Sequence, residues 1–288
     1  MQQITKVKAL RSCVRDWHQQ GQSVALVPTM GNLHVGHLQL VKQAKKLANK
    51  VVVSIFVNPT QFVAGEDFDT YPRTIKDDVA HLGDIEPDLI FIPEIDEVYP
   101  AGLEGETQVI VPELDSIFCG AFRPGHFTGV ATVVSKLLNM VQPDIALFGN
   151  KDYQQLLVIK RLVKDLCIPV EIVGVETVRE ESGLALSSRN RYLNQQEKMV
   201  AAELHQALSG IAEAVKAGVD DYQQLEANAV KHLEKKGFKI EYLSIRNASN
   251  LGEPTEEELV VLAAAWLGKA RLIDNIQIKR CREGNFPP

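Results

Sequence analysis

Short apolar runs alternate with helical patterns over about the first 175 residues, and no other feature of the chain restricts its possible folds as strongly. The runs are rich in Val and Ile and are apolar on both sides, as expected of parallel strands covered on both faces. Strand–helix alternation implies right-handed crossovers and a doubly wound, mostly parallel sheet in an α/β protein. The predicted strands are VALVP (24–28), VVVSIFVN (51–58), DLIFIP (88–93), QVIVP (108–112), IALFG (145–149) and VEIVGVET (170–177).

The pattern changes after about Thr177. Two long helical patterns follow a polar loop, and three strand-like segments come after them. We therefore predict a Rossmann-like domain over residues 1–177 and a smaller α+β domain over 178–288 that closes over the first. The end of the chain after about residue 279 has no periodicity and is predicted to fray.

Composition argues against several classes of protein. The net charge is -6, which disfavours a nucleic-acid surface. No apolar run approaches the ~18–20 residues of a membrane span, and the first 20 residues read as an amphipathic helix rather than a signal sequence. The four cysteines are scattered without a C-x-x-C pair, which favours reduced thiols and a cytoplasmic protein.

The segment PTMGNLHVGH (28–37) has a composition that a buried core does not need. It leaves an apolar strand, turns at Gly31 and Gly36, and enters a helix at about His37. The first turn of a helix presents unpaired N–H groups and partial positive charge, so anions bind there, and glycine lets a ligand approach the backbone. His34 and His37 can face the same side of that turn, where their N–H groups would meet phosphates.

Other interpretations of the histidine pair stay open on the residues alone. Such a pair often lies on the surface or in the core without any functional role. Half of a zinc site is a second possibility, although zinc sites on helices more typically use an i, i+4 spacing with a nearby Glu, and no HExxH occurs here. The lysine-containing glycine-rich loop of the common NTPases is also absent. The order of strand, glycine turn, His-x-Gly-His and helix favours the phosphate site.

These residues resemble a known family. HVGH (34–37) is similar to the HIGH-type signature of nucleotidylyltransferases and class I aminoacyl-tRNA synthetases, and the whole of PTMGNLHVGH resembles the pantothenate synthetase (pantoate–β-alanine ligase) family. The similarity spans nearly the whole chain except its tail. Six further segments match in order and spacing: SIFVNPTQF (54–62), YPRT (71–74), RPGHFTGV (123–130), QPDIALFGNKDYQQL (142–156), LSSRNRYL (186–193) and RLIDN (271–275).

The resemblance implies a ligase that forms a C–N amide bond in two steps. The carboxylate of (R)-pantoate attacks the α-phosphorus of ATP, giving pantoyl adenylate and pyrophosphate. The amine of β-alanine then attacks the activated carbonyl and releases AMP and pantothenate. Such chemistry depends on positioning and charge stabilisation more than on a protein nucleophile.

The resemblance also implies an ATP site built from three segments. His34, His37, Lys151 and Arg189 are the predicted catalytic residues, acting on the phosphates. On the residues alone, Lys151 could be a solvated loop lysine and LSSRN an ordinary linker between domains. One departure is Asn150, where the family usually has an acidic residue or its amide. The other predicted ATP contacts are Met30, Gly31, Asn32, Leu33, Val35, Gly36, Gly149, Asn150, Asp152, Val178, Leu186, Ser187 and Ser188.

Amide side chains are the predicted pantoate ligands. An amide can hold a carboxylate and hydroxyl groups without adding charge, and the resemblance assigns Asn58, Gln61 and Gln155 to this role. Phe62 and Val130 are predicted to pack around the gem-dimethyl group of pantoate. The alternative for NPTQF is a turn that Gln61 caps.

Two further pairs of residues have weaker support. Asp77 and Asp78 match the family's magnesium contacts, and consecutive helical residues can supply at most one direct ligand; a solvated helix face is the alternative. Arg123 and His126 in RPGHF are candidate site residues or simply part of a turn.

Rival functions make different demands on the chain. Another small-molecule adenylyl- or cytidylyltransferase of the same superfamily would lack NPTQF and GNKDYQQ as a pair. A class I tRNA synthetase would need a larger, more basic chain. A non-enzymatic ATP-binding regulator would not need the pantoate-side glutamines. The resemblance further implies a homodimer whose ligands are the small molecules ATP, pantoate and β-alanine.

Overall fold

A computed structural model describes residues 1–255 and 257–280. The chain divides into two compact units, Met1–Val178 and a second that begins at Arg179. The predicted frayed tail falls almost entirely outside the described residues. Among the residues described, no helix combines the length and apolarity needed to cross a membrane.

The first unit is built on a six-stranded sheet in which every pairing is parallel. This confirms the predicted doubly wound α/β fold. Residues 24–27 are fully buried although successive side chains point to opposite faces, so both faces of the sheet are covered there. The strands are β1 (Gln2–Ile4), β2 (Val24–Thr29), β3 (Lys50–Ile55), β4 (Leu89–Phe91), β5 (Ile145–Gly149) and β6 (Glu171–Val175). The helices are α1 (Val7–Gln19), α2 (Val35–Leu47), α3 (Ile75–Gly83), α4 (Ile95–Val98), α5 (Cys119–Phe122), α6 (His126–Val141) and α7 (Tyr153–Asp165).

The strand order β1-β4-β3-β2-β5-β6 reverses direction at β2. From β2 the chain passes through α2 to β3 on one side, whereas β5 pairs with the other side of β2. Ligands of open α/β sheets bind beyond the carboxyl ends of the strands at such a switch. The ends of β2 and β5, at Thr29 and Gly149, therefore lead into two of the segments predicted to bind ATP.

Two predictions about strands were wrong. Residues 108–112 form no strand: the Val109 N–H donates to the Thr132 hydroxyl (3.0 Å), and Ile110 is exposed while Val111 is buried. An apolar run can thus pack on a helix without joining a sheet. Conversely, β1 was hidden in a segment predicted to be helical, because its pairing with β4 comes from a distant part of the chain.

The second unit confirms the predicted α+β pattern. Its sheet is antiparallel, in the order β7-β8-β9. Leu204, Leu208 and Leu233 of the helices are buried in one core with alternating residues of the strands. The elements are α8 (Gln195–Lys216), α9 (Tyr222–Lys235), β7 (Lys239–Asn247), β8 (Glu258–Leu267) and β9 (Ala270–Lys279).

Candidate active site

The turn after β2 requires glycine at Gly31. Its φ is +79°, and a Cβ there would lie 3.0 Å from Asp78 Oδ2 and 3.2 Å from Ile55 Cγ2. Asn32 also has a positive φ, of 50°, which Asn tolerates better than most residues. The backbone of the turn is therefore held close to α3.

Asp78 fixes this turn from the first helical turn of α3. Its side chain is 1% exposed, and its carboxylate accepts hydrogen bonds from the N–H groups of Asn32 (3.0 Å) and Leu33 (2.6 Å) and from the Thr74 hydroxyl (3.2 Å). Asp77, its neighbour, is exposed. Neither belongs to a cluster of three or more His, Cys, Asp or Glu side chains within the described residues. Asp78 thus has a structural task, and the magnesium contact of this pair stays a prediction.

Replacing Asp78 with Asn is expected to destabilise the protein by about 1–3 kcal/mol. An amide can present only one oxygen, so one of the two buried N–H groups of the turn would lose its acceptor or face an NH₂ group. Chemical denaturation with circular dichroism measures the change. Asp77→Asn is the matched control, and equal stability of the two variants would contradict the role of Asp78.

His34 and His37 hold the start of α2 through a reciprocal capping arrangement. His34 Nδ1 accepts from the Gly36 N–H (3.1 Å), and His37 Nδ1 accepts from the His34 N–H (3.3 Å). In a neutral imidazole the other nitrogen carries the proton, so both rings present Nε2–H donors. The helix begins at Val35, two residues before the predicted start, because His34 serves as its N-cap.

The close packing of the two rings depends on Gly36. The ring centroids are 4.1 Å apart, and a Cβ on Gly36 would lie 2.9 Å from His34 Cε1. The second glycine of the segment therefore makes room for a histidine ring, in addition to leaving backbone accessible.

Both histidines are neutral at physiological pH. Burial, followed by the positive charge of Lys151, lowers the pKa of His34 to about 4. Burial, then His34 and then Lys151, lowers the pKa of His37 to about 3. The site therefore offers two neutral imidazole donors beside one cation.

Lys151 follows β5 in the one-turn helix Asn150–Asp152. Its side chain is 18% exposed, with Nζ 3.7 Å from Asp152 Oδ1. Its positive charge lowers the pKa of both His34 and His37. The predicted lysine after β5 therefore interacts electrostatically with the predicted histidines after β2. Asn150 is buried, and its amide donates to Glu176 Oε1 (3.2 Å); a Cβ on Gly174 would meet Asn150 Oδ1 at 2.2 Å.

Gln61 is held beside the turn after β2. Its Nε2 donates to Met30 Sδ (2.9 Å), and its Oε1 accepts from Asn58 Nδ2 (3.2 Å). Asn58 is 1% exposed. Its Nδ2 also donates to Gly129 O (3.2 Å), and its Oδ1 accepts from the Tyr99 hydroxyl (2.7 Å). Asn58 is therefore placed to support Gln61 from the interior.

Arg123 and His126 hold the main chain of Gln61. The guanidinium pairs with both carboxylate oxygens of Glu66 and donates to His126 Nε2 (2.9 Å). The proton of His126 is then on Nδ1, which donates to Gln61 O (2.8 Å). RPGHF is thus more than a turn. Glu66 and Tyr99 were missed by sequence reasoning, since nothing local marks them as partners of this network.

Two adjacent glutamines at the start of α7 differ in environment. Gln154 is buried, and its amide makes three hydrogen bonds, to the Cys119 N–H and to the carbonyls of Leu114 and Ile117. Gln155 is half-buried, and its side chain makes no hydrogen bond to any described residue. Of the two, Gln155, the predicted pantoate ligand, is therefore the one whose amide is available to bind a substrate.

The predicted ATP contacts of the third segment lie in the second unit, apart from Val178, the last residue of the first. A one-turn helix covers Ser188–Tyr192, and Ser187 caps it by accepting from the Arg189 N–H (3.2 Å). Asn190 is buried and donates to Ala185 O (3.0 Å). The segment 186–189 thus has a defined backbone conformation within its own unit.

Comparison with known proteins points to one family. A family model described as pantoate-beta-alanine ligase matches residues 2–277. A protein named pantothenate synthetase from Shewanella amazonensis is 56% identical over 277 residues, covering 95% of this chain and 98% of the relative. One with the same name from Alteromonas mediterranea is 52% identical over 282 residues, covering 97% of this chain and 100% of the relative.

Solved structures give the same result. A pantothenate synthetase from Thermus thermophilus superposes with a TM-score of 0.86 at 44% identity, covering 96% of this chain and 99% of that one. A pantoate-beta-alanine ligase from Francisella tularensis, complexed with beta-gamma ATP and beta-alanine, has a TM-score of 0.79 at 35% identity, with 96% and 97% covered.

Proposed function

This chain belongs to the pantoate-beta-alanine ligase family, and from that premise we propose that it condenses pantoate with β-alanine in a reaction driven by ATP. Pantoyl adenylate is the intermediate, pyrophosphate leaves first and AMP second. The relatives that match are pantothenate synthetases and a ligase seen with an ATP species and β-alanine. They support this reaction over another adenylyl- or cytidylyl transfer.

The paired imidazoles of α2 are the observation on which the proposal depends most. Their Nδ1 atoms are used in the helix cap, so their Nε2–H groups are oriented donors. Lys151 adds a positive charge in the same environment. This combination suits the β- and γ-phosphates, on which negative charge increases as pyrophosphate leaves.

The residues act mainly by binding and orientation. A pantoate carboxylate oxygen attacks the α-phosphorus, the bond to the bridging oxygen breaks, and pyrophosphate carries the electron pair away. Met30–His37 and Gly149–Asp152 hold the nucleotide, whereas Gln61 and Gln155 hold pantoate. The β-alanine amine then attacks the acyl carbon, loses a proton, and AMP departs. Alignment of carboxylate and phosphorus is the larger part of the catalysis.

The segment Leu186–Arg189 is proposed to supply further phosphate contacts. Serine hydroxyls donate hydrogen bonds, and a guanidinium binds two phosphate oxygens at once. The capped conformation of Ser187 supports this role, because it sets the direction of the following residues.

Magnesium is proposed to enter with ATP. Mg²⁺ keeps several waters and binds substrate phosphates with one or two carboxylates. The carboxylate of Asp78 already has three donors, so Asp77 is the better placed of the two to add a contact. The ion would neutralise phosphate charge. The protein is further proposed to be a cytoplasmic homodimer. Light scattering of the purified protein tests whether it is a dimer.

Replacing Gln155 with Ala is expected to raise the KM for pantoate about tenfold or more, since a hydrogen bond to a charged group contributes ~1.5–3 kcal/mol. The KM for ATP should stay within about twofold. Steady-state kinetics with each substrate varied measures both values. Exposed Gln223→Ala in α9 is the control, and an unchanged pantoate KM in the Gln155 variant would remove this residue from the pocket.

Pantoate-dependent ATP–pyrophosphate exchange tests the proposed function itself. Radiolabelled pyrophosphate should enter ATP only when pantoate is present and without any β-alanine. A regulator that binds ATP would show no exchange. Another nucleotidylyltransferase would show none with pantoate but would exchange with a different acceptor. Folded, ATP-binding protein without pantoate-dependent exchange would overturn the proposal.

A further inference from the structure

The segment RLIDN places an aspartate in the interior of the second unit. Asp274 lies in the middle of β9 and is 4% exposed. Its carboxylate accepts from Arg179 Nη1 (2.7 Å) and Nη2 (2.9 Å) and from the Asn275 N–H (2.8 Å). Burial raises the pKa of Asp274, but His205, Arg179 and the Asn275 N–H together outweigh burial and lower it. None of the proposed substrate contacts uses this carboxylate.

Arg179 ties a short hairpin to β9. It forms an antiparallel bridge with Ala185, and its Nη1 also donates to Gly183 O (3.1 Å). Gly183 has a φ of +92°, and a Cβ there would lie 2.8 Å from His205 Cδ2. His205 in turn has Nδ1 3.5 Å from Asp274 Oδ2. The hairpin 179–185 is thus bound by its first residue and closely packed at its tip.

The hairpin leads directly into the proposed phosphate-binding segment. Leu186 follows Ala185, and the far end of the segment returns to the same place, because Asn190 Nδ2 donates to Ala185 O (3.0 Å). The Asn190 N–H also donates to Ser187 O (3.0 Å). Both ends of residues 186–189 are therefore connected to a hairpin whose position depends on the bond between Arg179 and Asp274.

We propose that Asp274 and Arg179 are positioning residues for ATP. The two parallel hydrogen bonds of a guanidinium–carboxylate pair define direction as well as distance, so the pair sets where Ser187, Ser188 and Arg189 present their donors. The inference rests on the proposed role of that segment in binding phosphate.

A second ion pair in the same sheet makes a matched control. Arg271 pairs with Glu241 through Nε (3.0 Å) and Nη2 (2.8 Å), with each side chain 12% exposed. This pair joins β9 to β7. Glu241→Gln therefore removes a similar charge pair from the same sheet and leaves Arg179 and Asp274 unchanged.

The experiment compares Asp274→Asn, Arg179→Lys and Glu241→Gln in the full chain by steady-state kinetics. Asp274→Asn keeps the side-chain size, and Arg179→Lys keeps the charge but loses the planar fork. We expect both to raise the KM for ATP about tenfold, since small misplacement of substrate contacts is costly, with the KM for pantoate within about twofold. Glu241→Gln should leave both KM values unchanged. Thermal melts identify an assay temperature at which every variant is folded. If Asp274→Asn does not fold, the KM for ATP of Arg179→Lys tests the inference.

Arg189→Ala distinguishes the positioning role of Asp274 and Arg179 from the phosphate-binding role of the segment 186–189. If it raises the KM for ATP and the variants of Asp274 and Arg179 do not, the positioning inference is overturned and the phosphate-binding role stands. If Arg189→Ala leaves the KM for ATP unchanged, the role of the segment fails and the inference fails with it. Equal effects on ATP and pantoate would show a general structural role and would also overturn the inference.

Discussion

Replacing Lys151 with Ala is expected to lower the rate of pantoate-dependent ATP–pyrophosphate exchange by about 10²–10³-fold, the usual cost of losing one preorganised stabilising group. The ammonium follows β5 at the point where the strand order reverses, and its charge acts on both histidines of α2. Its positive charge should stabilise the pyrophosphate more strongly as that group departs than in bound ATP. The loss should therefore appear mainly in kcat.

Lys160→Ala is the control for this variant. Lys160 lies on the same helix α7 but is exposed, so its removal changes the net charge by the same amount without altering the site. Exchange at nearly the native rate in the Lys151 variant, with the protein folded, would contradict the proposed role. Loss of exchange in both variants would show that net charge, and not position, is responsible.

Two substitutions of His37 are expected to separate its capping role from its proposed catalytic role. His37→Gln can place an N–H donor near the position of Nε2, whereas His37→Asn can place an acceptor near Nδ1. If Nε2–H binds phosphate, the Asn variant should lose about 10²-fold or more in kcat, and the Gln variant should retain a larger fraction.

Stability should follow the opposite order. The Asn variant keeps an acceptor for the His34 N–H and should be the more stable, because loss of a helix cap costs about 0.5–2 kcal/mol. Exchange kinetics and denaturant titrations of the same preparations measure both orders. If the Asn variant is both the more stable and the more active, His37 acts only as a cap.

Local patterns predicted the strands of the sheet well where both faces of a strand are buried. The runs that became β2 and β5 are apolar throughout, as strands covered on both faces must be. The run 108–112 looked similar and forms no strand, because whether an apolar run pairs with a sheet or packs on a helix is decided by distant neighbours. The three-residue β1 was missed for the same reason: its partner β4 lies over 80 residues away.

The features of the candidate site likewise separate into those set by local sequence and those set by distant contacts. The strand–turn–helix order around His34 and His37 is local, so the residues alone predict two imidazoles at a helix start with glycines beside them. Their tautomers follow from hydrogen bonds within four residues.

Which polar groups already have hydrogen-bond partners could not be predicted from local sequence, because it depends on the folded chain. Asp78 reaches Asn32 and Leu33 across 45 or more residues, and Asn58 is bonded by Tyr99 across 41. Gln154 and Gln155 are the same residue type at adjacent positions, yet only the Gln154 amide is bonded to the Cys119 N–H and to the carbonyls of Leu114 and Ile117. Residue type and spacing specify local geometry, but the partners of a buried polar group depend on chain segments that only folding brings together.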